Sequence, residues 1–212
     1  MPKLTRRKLL DFFAKRDSRL CELIAAAGPY RLQPLAAESP FRHLTLAIIS
    51  QQISGAAART ITQRFVALYG DFPAAQQVLD TTPETLRGAG ISAGKIRALH
   101  DLASKTLTGT VPDSQTLMSL DDESIIERLT AVHGIGRWTV QMMLMFQLGR
   151  SDVMPADDYG VRRGFQLTYR KRKMPTAGEL GKFAHRWSPY RSAAAWYLWR
   201  AVDLAREGRW PS

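Results

Sequence analysis

Two short stretches carry groups with an evident chemical use. In Gly134-Ile135-Gly136-Arg137 two glycines flank one apolar residue and a basic residue follows. A turn of this composition leaves backbone N–H groups bare at the start of a helix, beside a cation. Such a place suits an anion, above all a phosphate. In Met154-Pro155-Ala156-Asp157-Asp158-Tyr159 two adjacent carboxylates follow a proline and lead into a helical pattern. On residue type alone both acids read as N-terminal caps. A short carboxylate accepts orphan N–H groups of a first turn and suits the positive end of the helix dipole.

The elements that must position these groups are helices. Before the glycine turn a helix starts at Asp121 or Asp122 and places Ile125, Ile126, Leu129 and Val132 at helical spacing. Gly134 ends it with a left-handed residue, Gly136 supplies a second tight position, and another helix runs from about Trp138 to Leu148. The acid pair is followed by helix from Val161 to Tyr169.

Upstream, Asp17-Ser18 opens a helix closed by Gly28-Pro29, and residues 29–38 read as a connector. Ser39-Pro40 is an N-cap with proline at the first helical position, and that helix reaches about Ser50. Gln51-Gln52-Ile53 breaks the pattern before Ser54 caps a helix reaching Tyr69-Gly70. Leu86 to Leu99 faintly echoes the glycine hairpin and reads as either a second amide turn or a plain helix corner. Residues 108–116 read as a turn-rich linker, Arg170-Lys171-Arg172-Lys173 is a basic run, and Thr176 to Glu179 fits a capping box. Ser188-Pro189 opens a last helix with Ala194, Leu198, Ala201 and Leu204 in phase. No segment sustains strand alternation, so the expected fold is all-α.

Composition bounds the function classes. The 212 residues suffice for one large domain or two small ones, and 45% apolar content supports a core. Thirty basic against 19 acidic residues leave a net charge of +11, which points to a polyanion, nucleic acid first. No apolar run of the ~18 residues that a membrane span requires is present. One cysteine, Cys21, precludes an internal disulfide and a four-cysteine iron–sulfur cluster. The four scattered histidines offer no zinc set. The basic N-terminus lacks the apolar stretch of a secretory signal, and a cytoplasmic or nucleoid location follows.

Leu129 to Leu144, followed by Pro155-Ala156-Asp157-Asp158-Tyr159, resembles the helix-hairpin-helix superfamily of DNA glycosylases, with its hairpin and its Gly/Pro-rich loop ending in an Asp. The resemblance is strongest to the 3-methyladenine DNA glycosylase II group and spans roughly residues 40–200. It implies two helical subdomains flanking a cleft. One comprises residues 1–38 and 155–212. The other comprises 39–154, with the hairpin at about 121–148. It also implies that the extra N-terminal β domain of larger members is lacking.

The same resemblance assigns roles. Asp158 is the catalytic acid, which stabilises an oxocarbenium-like sugar or orients water, and Asp157 is then the cap. Trp138, Trp199 and Met142 line the base pocket, where indole faces attract a cationic alkylated purine. Members that also cut the backbone carry a Schiff-base lysine at the position of Trp138, so a monofunctional enzyme is expected. Met142 departs from the tyrosine of close relatives, which leaves the substrate range open. Gln51 and Gln52 lie in the loop that enters the duplex, with Gln52 filling the gap left by a flipped base. Gly134, Ile135 and Gly136 form the DNA-contacting turn, and Arg137, Arg162, Arg163, Arg191 and the basic run 170–173 are candidate phosphate contacts. The carbonyls of Thr130, His133 and Ile135 would hold a monovalent cation, sodium or potassium; no cofactor is required. The expected partner of a monomer is double-stranded DNA with damaged bases.

Two other classes compete with the enzyme. A non-enzymatic helical DNA-binding module would use the hairpin alone, and an RNA-binding accessory protein would rest on net charge. The acid loop separates them, since pure binding gains nothing from a carboxylate facing a polyanion.

Overall fold

The computed structural model describes residues 5–32, 34 and 39–210. Among these the chain forms helices and no strand, in the order α1 (Arg6–Phe13), α2 (Ser18–Ala27), α3 (Pro40–Ser50), α4 (Gly55–Ala67), α5 (Ala75–Asp80), α6 (Pro83–Gly88), α7 (Ala93–Leu107), α8 (Ser114–Ser119), α9 (Asp122–Thr130), α10 (Arg137–Phe146), α11 (Tyr159–Thr168), α12 (Ala177–Ala184) and α13 (Arg191–Arg206). A 3-10 turn, His185–Trp187, separates the last two. The all-α expectation holds.

Short polar side chains start most helices by accepting a first-turn N–H. Ser39, Ser54 and Asp121 accept from Arg42 at 3.1 Å, Ala57 at 3.3 Å and Ser124 at 3.0 Å. Thr176 and Glu179 close the expected capping box. Three helices lie where the sequence suggested none. In α1 basic residues dilute the apolar signal, yet Leu9 and Phe13 are fully buried. In α5 the N-cap position is Ala74, which has no polar side chain to mark the start. In the expected linker 108–116, Asp113 is an N-cap that accepts from Thr116 at 2.7 Å and opens α8. The final helix begins at Arg191 instead of Ser188-Pro189, because the Ser188 hydroxyl donates to Asp152 and does not cap.

The chain divides into two units, residues 1–34 with 144–212, and 35–143. The sequence reading put the boundaries at 38 and 155. Residue 38 and much of the connector lie outside the described residues. The second division falls inside α10, whose last turn works with the C-terminal unit: Phe146 stacks on Trp199 of α13 at 5.9 Å.

In the discontinuous unit α13 packs on α11 and α2. Asp17 is buried there and joins chain segments far apart in sequence. It accepts from its own helix at Leu20, from Trp187 Nε1 at 2.8 Å and from the Tyr169 hydroxyl. A buried carboxylate is tolerable only with donors of this kind. In the central unit α7 is the spine, packed by α3, α5 and α6. Ile48, Ile49, Phe65, Leu86, Leu99, Leu102, Ile125 and Leu129 form its core.

Candidate active site

The acid loop is held by the start of α13. Asp152 takes a two-point contact from Arg191, Nε at 2.8 Å and Nη2 at 3.0 Å, and the Ser188 hydroxyl at 2.8 Å. The Ser192 hydroxyl accepts from the Val153 N–H at 2.9 Å and donates to the Arg150 carbonyl at 2.7 Å. Both strands of the loop are thereby clamped, and Pro155 is buried below them.

The chain then enters α11, and here one expectation is corrected: Asp158, not the exposed Asp157, is the N-cap. Its Oδ1 accepts from the Val161 N–H at 2.7 Å and from Trp199 Nε1 at 2.8 Å. Two donors on one oxygen fix the plane of the carboxylate. Capping therefore falls to Asp158 itself and orients its carboxylate. Trp199 in turn stacks on Phe146. The residue read as a pocket wall is thus also the orienting donor of the acid.

Two glycines, not singled out in the sequence, let α11 lie this close to α13. A Cβ on Gly164 would stand 1.9 Å from the Leu198 carbonyl oxygen, nearer than any real contact. One turn earlier, a Cβ on Gly160 would meet Trp199 at 2.8 Å and Asp158 Oδ1 at 3.1 Å. Their i, i+4 spacing puts both on one helix face, and Gly160-Val161-Arg162-Arg163-Gly164 after the acid pair was the available signal. Tyr159, beside Asp158, is 69% exposed.

The hairpin is described within the central unit. Gly134 has φ of 79°, and a Cβ there would also press on Ala98 at 3.3 Å. Gly136 is a second correction: it has no positive φ, and a Cβ would meet open space. Ile135 is a third. Its side chain is buried and its N–H donates to the Val132 carbonyl, so it anchors the turn and does not offer a bare amide. Arg137 is exposed and pairs with Glu123. The His133 N–H donates to Asp101 at 2.6 Å, and Lys105 donates to Asp101 and to the Ala131 carbonyl at 2.7 Å. Burial alone would raise the Asp101 carboxyl, but the His133 N–H and the Lys105 ammonium together hold it below the usual carboxylate range.

Gln51 and Gln52 occupy the corner between α3 and α4. Gln52 is exposed with φ of 59°, unusual for a side-chain-bearing residue. Gln51 turns its amide to the Gly134 carbonyl at 2.9 Å. This corner, Gly134, Gly136, Trp138 and Met142 line one cavity of about 630 Å3. Trp138 is 47% exposed, so it is not a core residue.

Of the other candidate cations, Arg191 is engaged by Asp152, Arg162 Nε by the Pro175 carbonyl and Arg163 by Gln166. The Leu86–Leu99 echo is the corner between α6 and α7, where Gly90 has φ of 94° and lies against Ile61. Among the described residues no group of three or more His, Cys, Asp or Glu could hold a metal, and no helix is long and apolar enough to cross a membrane.

Comparison with known proteins adds to this geometry. Residues 46–189 match the family described as HhH-GPD superfamily base excision DNA repair protein. DNA-3-methyladenine glycosylase 1 of Schizosaccharomyces pombe is 40% identical over 192 residues, 89% of this chain and 84% of the relative. The solved structure of a Schizosaccharomyces pombe 3-methyladenine DNA glycosylase in complex with abasic DNA superposes with a TM-score of 0.81 at 37% identity, covering 93% of this chain and 98% of that one. A DNA-3-methyladenine glycosidase from Bacillus halodurans gives a TM-score of 0.84 at 34% identity, covering 93% and 90%.

Proposed function

The chain belongs to the HhH-GPD superfamily of base excision DNA repair proteins, and from that premise we propose that it is a DNA glycosylase that hydrolyses the N-glycosidic bond of alkylated bases, mainly cationic methylated purines. The observation that carries the reading is the Asp158 carboxylate, held by a first-turn N–H and by Trp199 Nε1. Capping α11 accounts for the Val161 bond alone; the second donor, Trp199 Nε1, fixes the carboxylate beyond what a cap requires.

The roles follow from the chemistry. The hairpin around Gly134 and Gly136 grips the phosphate backbone, which positions without reading sequence. Gln52 fills the gap left by the extruded base, with an amide that can hydrogen-bond an orphaned base edge. Trp138 and Met142 offer an apolar wall to the base, and Trp199 is the indole beside Asp158. As the C1′–N bond breaks, its electron pair leaves with the base. A base cationic beforehand departs neutral and needs no general acid. Positive charge develops on the sugar, where the Asp158 carboxylate stabilises it, and water adds at C1′ and gives up a proton to solvent.

Trp138 stands where a Schiff-base lysine would be required, which supports a monofunctional enzyme that leaves an intact abasic site. Neutral carbonyl oxygens, those of Thr130, His133 and Ile135, are hard donors suited to an alkali cation. Bound there, it would lend positive charge to a DNA phosphate. Incubation with methylated duplex DNA and mass spectrometry of the released bases tests the activity; 3-methyladenine release is expected, and none would overturn it. Borohydride should trap no covalent protein–DNA adduct, and a trapped adduct would show lyase chemistry.

A further inference from the structure

Four residues on one face of α7, Lys95, Ala98, Asp101 and Lys105, each touch a segment read above as contacting DNA or supporting such a contact. Lys95 Nζ donates to the Ile49 carbonyl at 2.7 Å, at the end of α3 and three residues before Gln52. Ala98 lies under Gly134. Asp101 holds the His133 N–H, and Lys105 the Ala131 carbonyl. Their positions in α7 keep them within one helical stripe.

Gln51 closes the frame. Its amide spans from the α3–α4 corner to the Gly134 carbonyl, a contact across 83 residues of sequence. Facing a carbonyl, the amide must present its N–H, because two carbonyl oxygens would repel. Gln51 is thus turned towards the protein, while the next residue is exposed and held in a left-handed conformation. Such a conformation costs on the order of 1 kcal/mol and persists only where the surroundings over-determine it.

We propose that Gln51 and Lys95 are positioning residues for base extrusion: they lock the Gln52 corner to the hairpin, so that gripping the phosphates fixes where Gln52 enters the duplex. The proposal rests on the reading of Gln52 as the gap-filling residue. Gln51 then acts through Gln52 and not by touching DNA itself. A corner free to move would still bind backbone, but it would deliver Gln52 less often into a closed stack. The penalty falls where the stack resists opening, in a fully paired site, and shrinks where the pair is already mismatched.

The test compares single-turnover excision at saturating protein from duplexes carrying one 3-methyladenine, either paired with thymine or mispaired. Four single variants are used: Gln52→Ala, Gln51→Met, Lys95→Met and Lys95→Arg. Gln51→Met keeps length and removes the donor. Losing one such hydrogen bond should slow excision from the paired site by roughly twofold to tenfold, with less change at the mispaired site. Lys95→Arg should restore the rate, and the double variant Gln51→Met/Gln52→Ala should be no slower than Gln52→Ala alone. A uniform loss at both sites, or additive losses in the double variant, overturns the proposal. If Gln52→Ala is selective for the paired site and Gln51→Met and Lys95→Met are not, the lock fails while the role of Gln52 stands. If Gln52→Ala is itself unselective, that role falls and the lock falls with it.

Discussion

Around the hairpin the groups to which the proposed function gives a role belong to the backbone. The turn at Gly134 and the exposed Gln52 corner are fixed by Lys95 and Lys105 of α7, which donate to the Ile49 and Ala131 carbonyls, by Asp101 of α7, which accepts from the His133 N–H, and by Gln51, which donates to the Gly134 carbonyl. Around Asp158 the group with the proposed role is a single side chain. It is fixed by an indole N–H, a helix N-terminus and two glycines that allow close helix packing. The difference suits the two tasks. Gripping a phosphate chain needs several modest interactions, any of which can weaken without loss of the whole. Placing one carboxylate against a developing charge depends on one geometry, so substitutions there should cost more and cost it in rate.

The largest effect expected is that of Asp158→Asn. Asparagine is as good a cap as aspartate, and its Oδ1 can still accept from Trp199, so the fold should persist. The charge that stabilises the sugar cation is gone, and excision should fall by at least about a hundredfold, the order seen when one transition-state interaction is removed. Asp157→Asn, at the exposed neighbour, should act like wild type. The reverse result would move the acid to Asp157 and undo the contrast drawn between the two regions.

Next come the glycines beside the acid. Gly160→Ala would push Trp199 from Asp158, and Gly164→Ala would drive a methyl into the Leu198 carbonyl. Overpacking of this kind costs about 1–3 kcal/mol. Gly164→Ala should lower the melting temperature, and Gly160→Ala should lower the excision rate more than the melting temperature. Trp199→Phe keeps a ring against Phe146 and deletes the N–H. It should cost about tenfold or more in kcat with DNA affinity unchanged, since one hydrogen bond to a charged group contributes about 1.5–3 kcal/mol. At the hairpin, Gly134→Ala meets both a positive φ and Ala98 and should weaken binding to damaged and undamaged DNA alike. Gly136→Ala should leave stability unchanged. Damage-selective weakening by Gly134→Ala would place the turn in the base pocket.

How much of this could be read beforehand depended on how local the signal was. Caps such as Ser39, Ser54 and Asp121 are local, and the helices they start lie where expected. The acid and the hairpin were legible because their motifs are contiguous. The orienting partners were not. Asp158 and Trp199 are 41 residues apart, and Gln51 and Gly134 are 83 apart. Nothing in a glutamine's neighbours tells whether its amide faces DNA or a carbonyl of its own chain. Gly136 was misread for a related reason, since Gly-x-Gly composition does not say which glycine needs the left-handed conformation.

The smallest expected effect concerns Arg191, which composition and resemblance place on a phosphate and the fold places on Asp152. Burial alone would raise the Asp152 carboxyl, but the Arg191 guanidinium and the Ser188 hydroxyl bring it below the usual carboxylate range. A carboxyl whose folded pKa is depressed adds stability above its unfolded value, about 3.9, and loses it as pH falls through the folded value. Asp152→Asn should therefore lower stability near neutral pH by about 1 kcal/mol, after allowing for solvent screening of a partly exposed pair. The gap between wild type and variant should close below about pH 4. Melting curves from pH 7 to pH 3 measure it, and a gap independent of pH would mean that shape, not charge, holds the loop. The DNA side is measured separately. Removing a side chain that neutralises one phosphate lowers the salt slope of binding by about one. Arg191→Ala should leave that slope unchanged while destabilising the loop. A slope reduced by about one would show that Arg191 leaves Asp152 for the phosphate when DNA arrives, and the acid region would then share the backbone-gripping task assigned here to the hairpin.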